Sequence, residues 1–170
     1  MSLQITLAQI KKHSPCADGW RKVLNANGGT NADLNKPFPL SSILDSNGLD
    51  DALWALRCLP EYEMLWRKFA WWAATQVADN TTDERVTYCL EVVGRFIEGS
   101  ASAEELSAAE SAAWAAARVA ESAAWAVWAA AAESVARAAA ESAARAAAWA
   151  ARAAQENKLR EILNAGEWVE

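Results

Sequence analysis

Up to Gly99 no run of apolar and polar positions keeps the strict alternation of a strand, and the residues between apolar runs are those that start and stop helices. The opening ITLAQIKKH predicts a short helix with Thr6 as N-cap, Gln9 completing a capping box, and Ile5 and Ile10 placed as a hydrophobic staple. In SPCADGWRKVL, Ser14 is placed to cap a second helix, Pro15 suits its first position and Asp18 lies where the helix dipole favours an acid, with the helix running to about Asn25. NANGGTNADLNKPFPL concentrates Asn, Gly and Pro and is expected to be the longest irregular loop. DSNGLDDALWALRCL predicts a helix from near Asn47, which Pro60 ends while opening the next, PEYEMLWRKFAWWAATQVA. A further helix, TDERVTYCLEVVGRFIEG, is expected after a Thr81–Thr82 cap and ends at Gly99, a natural position for a left-handed C-terminal glycine.

From Ser102, which is spaced to form a capping box with Glu105, no Gly or Pro interrupts the chain until Gly166, and Ala dominates. A continuous helix over that span would be on the order of 90 Å long, against a radius of gyration of about 15 Å for a compact chain of this size, so a series of shorter helices is expected. Glu-Ser pairs at 110–111, 121–122, 133–134 and 141–142 form a degenerate internal repeat, which makes Ser111, Ser122, Ser134 and Ser142 candidate helix starts. On a helix over 110–128, Glu110, Trp114, Arg118, Glu121, Trp125 and Trp128 fall within about 80° of one another and leave a thin Ala/Ser face opposite. Such helices stack closely and are spaced by tryptophans buried in the seams, with Trp149 continuing the series. The fold expected is all-α, with an N-terminal helical part, 1–99, and a part made of stacked Ala-rich helical repeats, 100–170, packed together as one compact unit.

Composition narrows the partners. The chain has 170 residues and 53% hydrophobic residues, many of them Ala, enough for a real core. It carries 22 acidic and 16 basic residues with one His, a net charge of −6, which argues against affinity for nucleic acid or anionic membrane and favours a basic partner. Up to Glu98 there are 12 acids and 10 bases, and after it 10 acids and 6 bases, so the second part is the more negative. Three distant cysteines, Cys16, Cys58 and Cys89, indicate neither a disulfide framework nor a zinc site and fit a reducing cytosol. The N-terminus has no apolar signal-like run. In the Ala-rich part the longest stretch without a charge, Ser122 to Ala132, is far short of the roughly 20 residues of a membrane span.

Little in the chain points to catalysis. His13, at the end of the first predicted helix, is read as a solvated imidazole near a helix C-terminus. Cys16, three residues on at a predicted helix N-terminus, forms with His13 the one nucleophile-like pairing, and a structural cysteine is the ordinary alternative. Gly28–Gly29 lacks the Lys-Ser/Thr and the preceding strand of a phosphate loop. The acids Asp50, Asp51, Glu61, Glu63, Asp83, Glu84, Glu104 and Glu105 all fall in predicted first turns, where the helix dipole alone accounts for them. No His or Cys stands near them to complete a metal site, so no metal and no cofactor is expected. If helix stacking brings them to one surface with the repeat acids Glu110 and Glu121, their spacing can imitate a phosphate backbone and occupy a basic groove built for DNA.

Taken together, ITLAQIKKHSPCADGWRKVL, SSILDSNGLDDALWALRCL, FAWWAATQVADN and the trailing Trp-spaced Ala repeats resemble a family of small phage and prophage proteins. The likeness extends over nearly the whole chain, with SPCADGW and LDSNGLDDALWALR its most specific segments. Some relatives carry the label of immunity protein, and at least one protein that looks like this is an anti-CRISPR acting on type I-C systems. The resemblance implies a non-enzymatic inhibitor in the cytoplasm of the bacterial host. It would act as a monomer or homodimer, binding the type I-C Cascade complex and mimicking DNA at the subunit that reads the protospacer-adjacent motif, with no direct contact to nucleic acid or membrane. A mimic of net charge −6 has to segregate its acids onto one face. The alternative is an immunity protein that caps a toxin domain through its Trp-bearing seams or its Asn/Gly/Pro loop.

Overall fold

The computed structural model of the chain describes residues 2–76, 83–109, 111–112 and 134–170, which are mostly helical with one small two-stranded hairpin. Strand β1 (Gln4–Ile5) leads into α1 (Leu7–Lys12) and α2 (Ala17–Ala26). After a loop that holds strand β2 (Phe38–Pro39) come α3 (Ser42–Asn47), α4 (Leu49–Ala55), α5 (Glu63–Thr75) and α6 (Glu84–Ile97). Residues 103–109 form α7, and α8 (Ser134–Ala165) ends the chain's regular structure. By contacts the chain divides into two compact units, Met1–Trp66 with Ala154–Glu170, and Arg67–Ala153.

In the first unit the predicted capping box forms in full. The Gln9 N–H donates to Thr6 Oγ1 at 3.2 Å and the Thr6 N–H to Gln9 Oε1 at 2.8 Å, while Ile5 and Ile10 are both buried. The expectation of an entirely strandless chain fails at one place: Ile5 pairs antiparallel with Phe38 and Gln4 with Pro39. A two-residue ladder is too short to show alternation, and Pro39 is tolerated because a hairpin this small is all edge. The second helix starts later than expected, with Cys16 as its N-cap accepting the Gly19 N–H at 3.3 Å. Ser14 instead adopts φ +54°, outside any capping geometry.

Helix α3 lies before the predicted start at Asn47. Gly48, at φ +88° and ψ 179°, separates it from α4 and donates its N–H to the Ile43 and Leu44 carbonyls, at 3.2 and 3.1 Å. That backbone region is open essentially to glycine alone, so the break is written into this residue. The core of the unit joins the two chain ends. Leu159, Ile162 and Leu163 of α8 are fully buried, the Leu3 N–H donates to the Leu163 carbonyl at 2.8 Å, and Arg160 pairs with Asp45 at 2.8 Å.

In the second unit the cap of α6 is Asp83, which accepts the Arg85 N–H at 3.0 Å, and Gly99 takes φ +76° as the helix ends. The predicted cap pair Thr81–Thr82 lies outside the described residues. Val92, Leu106 and Ala109 form a buried cluster with Val93 and Phe96 packed against it. Trp71 donates its indole N–H to the Leu90 carbonyl at 2.8 Å, and a Cβ at Gly94 would sit 3.2 Å from its ring, so Gly94 is what lets the indole lie on α6.

The Ala-rich region departs from its expectation in two respects. Helix α8 runs 32 residues through Ser142 without a break, because the high helix propensity of the surrounding alanines outweighs the turn preference of one serine. Trp149, expected in a buried seam, is 79% exposed, and Ala146–Ala150 are exposed all round. Ser134 is the first described residue of α8, Ser111 lies in a helical pair of residues, and Ser122, Trp114, Trp125 and Trp128 fall outside the described residues.

Candidate functional site

The acids singled out by their first-turn placement do occupy helix starts, but their surroundings differ. In the first unit, Asp50 and Asp51 stand in the first turn of α4, Glu61 in the 3-10 turn Pro60–Tyr62, and Glu63 at the start of α5. Asp50, Glu61 and Glu63 are solvent-exposed, and Asp51 is half-buried. Asp51 is held by a neutral group: the Asn47 amide donates to its Oδ2 at 2.8 Å and to the Gly19 carbonyl at 2.9 Å. A neutral donor orients a carboxylate without cancelling its charge.

In the second unit two of the acids are engaged by arginine. Asp83 receives Arg85 Nη2 at 2.6 Å and Nε at 2.9 Å, and this side-chain pairing above all holds its carboxyl below the usual range. Glu105 pairs with Arg95, whose guanidinium is held still more basic by that hydrogen bond. The capping box expected at Ser102 is therefore half formed. Ser102 Oγ accepts the Glu105 N–H at 3.1 Å, but the Glu105 carboxylate is bound to Arg95. Glu104 is exposed, and its carboxyl is held low first by its own backbone N–H and then by the Ser102 hydroxyl. Glu84 is exposed in the first turn of α6, and Glu110 and Glu121 lie outside the described residues.

The nucleophile-like pair is not assembled as a dyad. His13 is the exposed C-cap of α1, and the sulfur of Cys16 is occupied with the Gly19 N–H. Cys58 is buried, which pushes its thiol up to about 11. Among the described residues no group of three or more His, Cys, Asp or Glu is placed to hold a metal ion. No described helix is long and apolar enough to cross a membrane.

Sequence reasoning missed a cleft of ≈ 100 Å³ beside α2, α3 and α4, lined among others by Cys16, Val23, Ile43, Asp51 and Trp54. Asn47 and Gly19, which shape it, carried no signal of their own. Asn47 and Asp51 are four apart, but Gly48 breaks the helix between them and conceals the pairing. Comparison of the chain with protein-family models, with curated proteins and with solved structures finds no match.

Proposed function

We propose that this protein is a non-enzymatic inhibitor of the type I-C Cascade complex, acting in the cytoplasm of the bacterial host. It presents acids to a basic groove that otherwise receives the target duplex, at the subunit that reads the protospacer-adjacent motif. The observation that carries the proposal is the exposure of Asp50, Glu61 and Glu63 at helix starts of one compact unit, in a chain of net charge −6. Acids fixed by helix starts are ordered charge, and ordered charge competes with phosphate better than charge on a floppy tail.

The test is charge reversal in pairs. Asp50→Lys with Asp51→Lys, and Glu61→Lys with Glu63→Lys, should each weaken inhibition of DNA binding by at least about tenfold with helicity unchanged. Full inhibition by every pair, Glu104→Lys with Glu105→Lys included, would sink the proposal. The exposed Asn/Gly/Pro loop, with Thr30, Asn31, Asp33 and Asn35 at its surface, favours a second reading as an immunity protein. Pull-down against purified Cascade separates the two, since an immunity protein leaves Cascade unbound.

A further inference from the structure

We propose that the cleft beside α2 and α4 is a binding site for an aliphatic primary ammonium ion, the chemistry that a lysine side chain or a small alkylamine presents. The walls are hydrocarbon: Val23, Ile43 and Ala55 are buried, and Ile10 completes the apolar lining. Into this lining comes one carboxylate, Asp51, whose orientation is fixed because Asn47 bridges it to the Gly19 carbonyl. Gly19 is what lets it lie there, since a Cβ at that position would stand 2.9 Å from Asp51 Oδ2.

Two basic side chains beside this wall are otherwise engaged. Lys22 feels the charge of Asp51 but is bonded to Asp18 at 2.9 Å. Arg57 donates to the Trp54 carbonyl at 2.9 Å and lies over the indole, 4.8 Å from the ring centre. Asp51 itself forms no ion pair among the described residues. At the rim, Ser14, directly before Pro15 and Cys16, takes φ +54°, the kind of backbone strain that gathers at binding sites.

Apolar walls with one oriented carboxylate repel anions and leave a purely hydrocarbon guest with a desolvated charge beside it. One carboxylate is too few ligands for a divalent metal. A short hydrocarbon chain ending in ammonium satisfies both parts of the site, and ≈ 100 Å³ is somewhat smaller than the roughly 150 Å³ apolar cavity that takes benzene. Lysine in a DNA-binding groove offers this group, so the site extends the inhibitor reading, yet it is tested on the protein alone and can fail or stand independently of it.

The experiment is an NMR titration of the full chain at constant ionic strength with n-butylammonium, with Nα-acetyl-lysine N-methylamide and with 1-butanol. Saturable shifts are expected at the Ile10, Val23 and Ile43 methyls and the Trp54 indole. Affinity should fall at least about tenfold for 1-butanol and for Asp51→Asn, which keeps an acceptor for Asn47. Saturation by both ammonium ligands identifies a lysine side chain as the guest, and saturation by butylammonium alone identifies a free amine; either supports the site. Absence of saturation, equal binding of 1-butanol, or unchanged binding by Asp51→Asn overturns it. A readout that needs no variant is the rate at which 2-aminoethyl methanethiosulfonate modifies Cys16: n-butylammonium should slow it, and lack of protection would contradict the proposal.

Discussion

In the unit made of Met1–Trp66 and Ala154–Glu170, Leu40, Leu159, Ile162 and Leu163 are fully buried and come from opposite ends of the chain. In Arg67–Ala153, the described cluster is Val92, Leu106 and Ala109, with Phe69 buried and stacked on Trp72 at 6.0 Å. Among the described residues, the first unit is held by branched aliphatic side chains brought together from distant sequence positions, and the second by a small aliphatic cluster with the Phe69–Trp72 ring contact beside it. The first-turn acids differ as well: Asp83 and Glu105 of the second unit are bound by arginine, whereas Asp51 of the first is bound by an amide. Charge available to a partner is therefore not read from acid counts, which made the second part of the chain the more negative.

The largest effect expected is on the first unit. Leu159→Ala removes a fully buried side chain and should cost about 2–5 kcal/mol in urea unfolding, with Leu106→Ala in the second unit toward the lower end because its cluster includes the small Ala109. Equal losses would remove the distinction between the two cores. Gly48→Ala comes next, at about 1–3 kcal/mol, since the position is open in space but strained in backbone. On function, reversal of Asp50 and Asp51 should reduce inhibition more than reversal of Glu104 and Glu105, because Arg95 already engages Glu105. The opposite ranking in a DNA-binding titration would move the interface to the second unit.

Smaller effects sharpen the contrast. At pH 7.5 iodoacetamide should label exposed Cys16 rapidly and leave Cys58 unreacted until the protein unfolds, because burial keeps that thiol protonated up to about 11. Peptide mass mapping checks this, and early labelling of Cys58 would show the first core to be loose. Asp83 has a folded-state carboxyl below its ordinary value of 3.8, so its stabilising contribution is present above that value and is lost as the pH falls through the lower, folded one. Circular dichroism should therefore show helix loss from the α6 cap beginning only below about pH 4, with Asp83→Asn removing that component.

How much of this was legible in the sequence depended on the range of the interaction. The Thr6–Gln9 box and the role of Gly99 are local, set by residues within one turn, and the structure matches what the sequence predicts there. Cys16 displaced Ser14 as cap because Ser14 is held in a left-handed conformation, which no propensity announces. The β1–β2 pairing and the burial of Leu159, Ile162 and Leu163 depend on contacts between residues far apart in sequence, to which local patterns are blind. The same holds for the site. Asp50, Asp51, Glu61, Glu63 and Glu84 stand in first turns as expected, and Asp83 one place earlier as the cap, but that Arg95 reaches Glu105 and that Asn47 bridges Gly19 to Asp51 are facts of tertiary placement.

The measurement that tests the inhibitor proposal most directly is competition: purified type I-C Cascade with labelled target duplex, titrated with this protein at about 50 and 200 mM salt. Displacement of the duplex, by a protein that itself binds Cascade more weakly at the higher salt, is the predicted result. Undiminished DNA binding at saturating protein, at either salt, would contradict it.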